Sequence, residues 1–413
     1  MVINLLLVLI SLAVILFGFG IWSFLSIVGI TLISFYAAKG LKGKHKKLIF
    51  FLSIFFTTGY MIALKALPIA YNEVNSVKGF IEPFGLTFYM MQVIAYLIDV
   101  YRGEYECETN LIKYALYSTY IPHLFVGPVY SYDVAKDNLI RTKDFSWKNV
   151  VNGILRICWG LFKVFVIGNR IAILTKSIAE LPSGGFYVLL AILVYGIQMF
   201  ATFSGGVDIA LGISKIFDIE LPENFNSPFL AESVLDFWER WQITIVCWVH
   251  KYIFNSSKKK KATKKREVFN ILFSFFMIGF LLGNNFIIWA IINGLLTMVG
   301  NSLKTKKRFL NRFLTYLVIS ITWIFVIWPN GFNAFAMLAS IFTVHNFTSM
   351  LVSIFNLGLT GMDFILLGFG LFALFIIDDN LEKIRKELKN YSSKFQIVLI
   401  TILLLVTIFA GVN

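Results

Sequence analysis

The chain has 413 residues, of which 58% are hydrophobic, 17% aromatic and only 15% charged, and its mean hydropathy is +0.77. This composition excludes a soluble globular protein and predicts an all-α, polytopic membrane protein. The net charge of +14 does not indicate nucleic-acid binding, because the basic residues lie in short clusters between apolar runs. Three cysteines without CxxC spacing predict neither a disulfide framework nor a zinc site, and we expect no bound metal.

Apolar runs long enough to cross a bilayer as helices recur along the whole chain. They lie near residues 2–17, 20–38, 48–64, 83–98, 110–130, 149–170, 186–217, 234–254, 268–283, 285–301, 313–329, 333–344, 359–377 and 395–412. Some must be re-entrant or interfacial, so we predict about eleven transmembrane helices. The first run lacks a basic n-region and a cleavage site, which indicates a retained span. We treat residues 1–413 as a single domain of a multi-pass cell-membrane protein surrounded by lipid.

Basic clusters between the apolar runs predict which loops are cytoplasmic. Examples are "KGLKGKHKK" (39–47), "KKKKATKKR" (258–266) and "KTKKR" (304–308). Positive loops face the cytoplasm, where they also meet anionic lipid. The segment 378–394 is typical of an amphipathic helix that lies on the membrane surface.

Two polar stretches interrupt the first half of the chain. In 84–106 an aromatic helix ends in Asp99 and Arg102, which we expect to pair as an interfacial anchor. In 120–132 two prolines and a glycine break the helix, which predicts a re-entrant element that lines a cavity. This element carries His123, which is either a structural hydrogen-bonding group or a catalyst.

The stretch 195–229 places several polar and small residues on one apolar helix. Its glycines permit close helix packing. Asp208 has apolar or small neighbours on both sides, so its carboxylate must find a partner or be protonated. Gln198 and Ser204 add polar groups to the same helix. The helix is expected to leave the bilayer at "LPENFNSP".

The stretch "LDFWERWQITIVCWVHKYIF" (235–254) carries three tryptophans and four charges. We expect one helix on which Trp238, Trp241, Gln242, Ile245, Trp248 and Tyr252 share a face. Ser233 and Asp236 form a helix start signal, and Asp236 and Arg240 are spaced to pair.

Six motifs in this order resemble the membrane-bound O-acyltransferase (MBOAT) family over about residues 40–345. They are "GLTFYMMQVIAYLIDVYRG", "PHLFVGPVYSY", "GLFKVFVIGNRIA" (160–172), "FSGGVDIALG", "LPENFNSPF" and "FWERWQIT". The nearest branch is the bacterial one that includes alginate O-acetyltransferases and the D-alanyl transfer protein of teichoic acid modification.

The resemblance implies a ring of helices around a central tunnel and transfer of an acyl group to a hydroxyl. The donor, an acyl-CoA or acyl-carrier thioester, enters from the cytoplasmic side as a substrate, and no tightly bound cofactor is expected. Acyl-carrier or polymer-modifying proteins are the implied partners. The expected tunnel and substrate residues are Gln198, Ser204, Asp208, Asp236, Trp238, Arg240 and Trp241.

The chain departs from the family at its catalytic positions. In "GFLLGNNFIIWAIINGLL" (279–296) the family's catalytic histidine aligns with Leu282 and a later histidine with Asn293, while Gln242 replaces the histidine of the tryptophan motif. None of the four histidines lies between His250 and His345, so no local shift of the alignment restores one. Leucine cannot accept a proton, whereas an amide still orients a substrate by hydrogen bonds.

Three hypotheses account for these departures. In the first, His123 replaces the lost general base. In the second, transfer relies on an activated thioester and on positioning alone. In the third, the chain keeps the tunnel but has lost the chemistry, and serves as a binding, scaffold or passage protein.

Overall fold

A computed structural model of the chain describes residues 2–70, 85–140, 145–180, 184–253, 264–283, 286–299, 305–344, 346–380, 384, 387 and 393–411. Over these residues the protein is all-helical, and its one pairing of extended backbone is an isolated bridge between Phe225 and Trp241. The predicted all-α fold class is therefore confirmed.

The α-helices follow one another through most of the described chain. They are α1 Val2–Gly40, α2 Lys46–Ala70, α3 Leu86–Arg102, α4 Leu111–Thr119, α5 Ile121–Val126, α6 Tyr132–Asn138, α7 Trp147–Phe162, α8 Asn169–Glu180, α9 Phe186–Ile216, α10 Val234–Arg240, α11 Ile243–Tyr252, α12 Lys264–Leu282, α13 Ile287–Val299, α14 Arg308–Thr322, α15 Ile324–Ile327, α16 Gly331–Thr343, α17 Phe347–Ser353, α18 Gly361–Asp379 and α19 Ser393–Gly411. A π-helical turn, Lys163–Gly168, joins α7 to α8.

These helices form two compact units. Unit one comprises Met1–Ser146, Ile213–Pro222 and Cys247–Ser256, and unit two comprises Trp147–Gly212, Glu223–Val246 and Ser257–Asn413. The single membrane domain over residues 1–413 stays a prediction.

The interior of unit one is rich in tyrosine. Tyr89 and Tyr114 are fully buried, and their hydroxyl groups hydrogen-bond to Thr31 and Ser34 of α1 at 2.8 and 2.7 Å. A buried phenol needs such a partner, because burying an unpaired hydroxyl is costly. The polar residues of α1 therefore match the aromatic side chains that pack against them.

Helix α1 joins two of the predicted spans. The runs 2–17 and 20–38 form one 39-residue helix with a kink at Gly20, whose φ is 85°. Glycine adopts this left-handed conformation without steric cost, so the chain bends there without a loop.

Within the part of the chain that the structure describes, five helical segments are long and apolar enough to cross a membrane. They are Val2–Gly40, Trp147–Glu180, Phe186–Ile216, Arg308–Ile327 and Gly361–Asp378. Four shorter apolar helices lie at Val268–Phe280, Ile287–Val299, Gly331–Thr343 and Phe395–Phe409. Several apolar helices thus agree with a membrane protein, while the number of eleven spans stays a prediction.

Some sequence predictions concern segments outside the described residues. The loop 256–263 with most of the lysine run, His345 and most of the predicted surface helix 378–394 belong to this group. Their predicted roles stay predictions.

Candidate active site

Asp208 in unit two is buried and paired with two cations. Its carboxylate lies 2.8 Å from Arg156 Nε and 2.6 Å from Lys163 Nζ, and only 4% of the residue is exposed. A carboxylate in apolar surroundings is tolerated when it is paired and hydrogen-bonded. The prediction that Asp208 must find a partner is confirmed.

The ion pairs around Asp208 extend into a larger network. Arg156 also binds both carboxylate oxygens of Glu223, which is half exposed. Lys163 Nζ donates to Ser204 at 2.9 Å and lies 3.6 Å from Asp378, which accepts a hydrogen bond from Trp159 Nε1 at 3.0 Å. Three carboxylates and two cations therefore connect α7, α9 and α18.

Sequence reasoning missed Arg156, Lys163 and Asp378 as members of this network. The available signal was a lysine inside the apolar motif "GLFKVFVIGNRIA". Lys163 begins the π-helical turn, and π-helical turns inside α-helices are frequent at functional sites.

Glycines bring α7 and α9 into close contact. A Cβ atom on Gly160 would lie 2.5 Å from the carbonyl oxygen of Gly205, and one on Gly205 would lie 2.7 Å from that of Gly160. Gly212 approaches Gly153 in the same way. The predicted role of these glycines in close helix packing is confirmed, and this packing places Lys163 against Asp208.

Gln198 lies six residues before Ser204 on α9. Its Oε1 accepts a hydrogen bond from Thr175 Oγ1 of α8 at 2.8 Å. The side chain therefore links two helices within unit two, and its predicted contact with substrate stays a prediction.

The tryptophan segment is broken, so the prediction of one continuous helix over 234–254 is wrong. Helix α10 ends at Arg240, α11 begins at Ile243, and Gln242 between them has a φ of +50°. The physical reason is Asn224 in the preceding loop. Its carbonyl accepts the Ile243 N–H at 2.9 Å, and its Oδ1 accepts Thr244 N–H at 3.2 Å, which satisfies the first donors of α11.

The predicted start signal of this segment is confirmed. Ser233 caps α10 by accepting the Asp236 N–H, and Asp236 accepts from Arg240 Nε at 2.7 Å. Both members of this ion pair are partly exposed. Asp236 and Arg240 thus stabilise α10 in the structure, and their predicted contact with substrate stays a prediction.

Unit two contains a cluster of four buried tryptophans, which we call the tryptophan cluster: Trp238, Trp241, Trp289 and Trp323. Trp289 stacks on Trp323 with ring centroids 4.9 Å apart, and Trp238 meets Trp289 edge to face at 5.3 Å. Trp241 completes the cluster with ring contacts to Trp238 and Trp323. Sequence reasoning had selected Trp238 and Trp241, but not Trp289 and Trp323.

Four polar atoms on or beside the tryptophan cluster are buried without a hydrogen-bond partner. They are Trp238 Nε1, Trp289 Nε1, Gln242 Oε1 and Asn293 Oδ1. Asn293 is fully buried, and its Nδ2 donates to the Trp289 carbonyl at 2.8 Å and to Thr322 Oγ1 at 3.2 Å, which leaves Oδ1 free to accept. Two donors and two acceptors without partners are what a site for a polar ligand provides.

In unit one, the pair predicted between Asp99 and Arg102 is wrong. Asp99 is fully buried and its Oδ2 accepts from Tyr252 at 2.7 Å and from Lys251 at 2.8 Å. Arg102 instead lies over the Tyr252 ring. Tyr252 and Lys251, at the C-terminal end of α11, bind the Asp99 carboxylate in place of Arg102 at the exposed end of α3.

His123 lies on α5, a six-residue helix followed by extended backbone from Gly127. The segment is thus no regular spanning helix, as predicted. The imidazole is fully buried in unit one and contacts the rings of Tyr120 and Tyr130. Its role as a base stays a prediction.

Comparison with known proteins decides the family. The sequence profile of "MBOAT, membrane-bound O-acyltransferase family" matches residues 106–342, which is more than half of the chain. The chain belongs to the MBOAT family.

Several known proteins are similar to this chain. A "Probable alginate O-acetylase" from Pseudomonas aeruginosa is 30% identical over 59% of this chain and 48% of its own length. A "Peptidoglycan O-acetyltransferase" from Helicobacter pylori is 26% identical over 59% of the chain and 54% of its own. A "Teichoic acid D-alanyltransferase" from Bacillus subtilis is 28% identical over 61% and 68%. The chain spans about half the length of the alginate O-acetylases it matches.

Leu282, the residue predicted to correspond to the family's catalytic histidine, has an apolar and partly exposed side chain. Leu282 ends α12 with 38% of its surface exposed, and Gly283 follows with a φ of 132°. Asn293, which is predicted to correspond to the later family histidine, is by contrast fully buried beside the tryptophan cluster. Of the described residues, no group of three or more His, Cys, Asp or Glu could hold a metal ion.

Proposed function

We propose that the chain is an O-acyltransferase that moves an acyl group of the acetyl or D-alanyl class from a thioester donor to a hydroxyl of a cell-envelope polymer. Family membership supports acyl transfer, and the names of the relatives support envelope polymers as acceptors. The observation that carries the proposal is the set of four unpartnered polar atoms at the tryptophan cluster.

These atoms match the groups that react. A thioester carbonyl accepts hydrogen bonds and an attacking hydroxyl donates one, and the four atoms comprise two donors and two acceptors. Holding both reactants in one orientation removes a large part of the barrier, equivalent to about 7–11 kcal/mol in the best intramolecular cases. In this proposal the reaction proceeds by positioning, without a side-chain base.

The setting of the reaction belongs to the proposal as well. The chain crosses the cell membrane about eleven times, and its helices surround a tunnel that the donor enters from the cytoplasmic side. The donor is an acyl-CoA or the thioester of an acyl-carrier protein. The partners of the chain are acyl-carrier or polymer-modifying proteins. Membrane lipids surround the chain, and it does not bind nucleic acid.

Leu282 favours a second candidate, a binding or passage protein that has lost catalysis. An apolar side chain at the position of the family's catalytic histidine removes a general base, which contributes about 10²–10⁴-fold to a rate. In this case the tryptophan cluster binds an acyl group or polymer and no ester forms.

Ester content of the envelope tests the proposal. A host strain that lacks the chain is complemented with the wild type or with Asn293→Leu, and the acetate and D-alanine that mild alkali releases from purified polymers are measured. We expect the wild type to restore one of the two esters and Asn293→Leu to restore about 10²-fold less, because leucine cannot accept a hydrogen bond from the attacking hydroxyl and so cannot orient it. Equal ester content with and without the wild type favours the binding protein. Immunoblots of the membranes control for the amount of each variant.

A further inference from the structure

Two indole N–H groups in unit two have no acceptor, although both side chains are buried. Trp238 is 8% exposed and Trp289 is 2% exposed, and Nε1 of each is without a hydrogen-bond partner. The indole nitrogen is a donor only, and a buried one ordinarily finds an acceptor. Leaving two donors unpaired on two rings in contact costs stability, so a ligand that accepts from them is expected.

The two rings are held firmly in place. Trp289 stacks on Trp323, and Trp238 packs edge to face on Trp289 and on Phe275, with ring centroids 5.3 and 5.7 Å apart. Phe237 adds an edge contact to Trp238 at 4.9 Å. Neither indole can turn to find another partner without breaking these contacts, so the donors are fixed before a ligand binds.

We propose that the N–H groups of Trp238 and Trp289 donate hydrogen bonds to the carbonyl oxygen of the bound acyl thioester and to the oxyanion that forms from it. This inference rests on the proposed function, and it names the groups that bind the acyl carbonyl.

The reaction balances without a protein base. The acceptor hydroxyl oxygen forms a bond to the thioester carbonyl carbon, and the electron pair of the C=O bond moves to the carbonyl oxygen, to which the two indoles donate in this proposal. When this pair returns, the C–S bond breaks and the sulfur leaves with its electrons. The proton lost by the hydroxyl ends on the leaving sulfur, so the products are an ester and a thiol.

Fixed donors suit an enzyme that lacks its family's histidine. Preorganised hydrogen bonds to a developing oxyanion are commonly the largest single contribution to catalysis, and removal of one such donor costs about 10²–10³-fold in kcat. Such donors act without a proton transfer, so the leucine at position 282 does not impair them.

Tryptophan-to-phenylalanine variants remove the indole N–H group but keep an aromatic ring, so they distinguish the effect of the hydrogen bond from that of packing. Single-turnover transfer is measured with purified protein in lipid nanodiscs for Trp238→Phe, Trp289→Phe and Trp323→Phe. Trp323 is the matched control, because it is buried in the same cluster but its indole nitrogen is not one of the unpartnered atoms. We expect each of the first two variants to lower the rate about 10²–10³-fold and Trp323→Phe to lower it less than about 10-fold. Equal losses in all three would assign the indoles a packing role only and overturn the inference.

Indole NMR signals test the same contact in the wild-type protein. The chain contains nine tryptophans, so ¹⁵N-tryptophan labelling gives nine indole N–H signals, which the phenylalanine variants assign. The probes are the S-acetyl and S-D-alanyl thioesters of pantetheine, and free pantetheine, which lacks the carbonyl, is the control. We expect a downfield shift of the Trp238 and Trp289 N–H protons with one thioester and none with free pantetheine.

The NMR shifts test the carbonyl contact and ester formation tests the proposed function, so one can fail without the other. Downfield shifts in the wild type, together with no transfer to the acceptor polymer in the single-turnover assay, keep the carbonyl contact and overturn the proposed function. Ester formation without these shifts keeps the function and overturns the contact. If neither thioester shifts the two signals, the inference is wrong.

Discussion

At the scale of single residues, the apolar neighbours of Asp208 in the sequence predict that it is buried. They do not predict which residues it pairs with. Arg156 lies 52 positions away in sequence, and no local pattern joins the two. Lys163 was visible only as a lysine in an apolar motif. Which cation a buried carboxylate binds depends on helix packing, here on the glycines of α7 and α9, and a single sequence does not specify that packing.

The Asp208 ion pairs predict a large loss of stability when this carboxylate is neutralised. Asp208→Asn leaves the buried Lys163 and Arg156 with less negative charge, and breaking such a buried pair costs about 3–5 kcal/mol of unfolding free energy. Thermal unfolding in one detergent, followed by the fraction of protein that stays monodisperse, measures the effect.

Glu223→Gln is the control for this prediction, because the Glu223 side chain is 49% exposed and water screens its pairing with Arg156. We expect it to cost less than about 1 kcal/mol. If Asp208→Asn and Glu223→Gln lowered the free energy of unfolding equally, the distinction between a buried and an exposed end of the network would be wrong.

At the scale of helices, the sequence predicts where most elements lie and misses where one breaks. The segment 234–254 has a helical pattern without glycine or proline, so nothing local indicates its interruption at Gln242. The break is imposed by Asn224, whose carbonyl and side chain satisfy the first donors of α11. The predicted shared face over Trp238–Tyr252 therefore does not exist as a single helical face, although Trp238 and Trp241 do enter one cluster.

The contact between α7 and α9 predicts that Gly160 does not tolerate a side chain. The Cβ atom of Gly160→Ala would meet the Gly205 carbonyl at 2.5 Å, and the helices would have to separate. We expect this overpacking to lower the free energy of unfolding by about 1–3 kcal/mol.

Gly368→Ala is the matched control for this prediction. It lies on another helix of unit two, α18, and nothing lies within 4 Å of its Cβ position. Alanine there is expected to be neutral or slightly stabilising, by about 0.5–1 kcal/mol. Apparent Tm values of the two variants in the same detergent check both statements, and a Gly160→Ala protein as stable as Gly368→Ala would contradict the close contact.

At the scale of the whole molecule, composition predicted the class of fold and the order of motifs predicted the family. The family profile over residues 106–342 confirms the resemblance found in the motifs. The number of spans is a different matter. Apolar runs of similar hydropathy become long helices, short helices or a broken helix, because contacts from distant segments decide where each helix ends.

The basic clusters predict the orientation in the membrane. Residues 256–263 lie outside the described residues, and we expect the loop 256–266 to face the cytoplasm because of its lysines. A single cysteine at Ser256, in a variant whose three native cysteines are replaced, should not react with a membrane-impermeant maleimide in intact cells but should react after lysis. Efficient labelling of intact cells would reverse the orientation.

The central claim is that the chain transfers acyl groups without the family's histidine, and the pH dependence of single-turnover transfer by wild type, Leu282→His and His123→Ala tests it most directly. We expect measurable transfer by the wild type without a step near pH 6.5, where imidazole titrates. Leu282→His should add that step and a rate increase of up to about 10²–10⁴-fold above it, because it restores a general base, and His123→Ala should match the wild type. A wild-type transfer activity that His123→Ala abolishes would make His123 the base. No transfer by the wild type at any pH, together with transfer by Leu282→His, would contradict the account and identify the chain as a silenced acyltransferase.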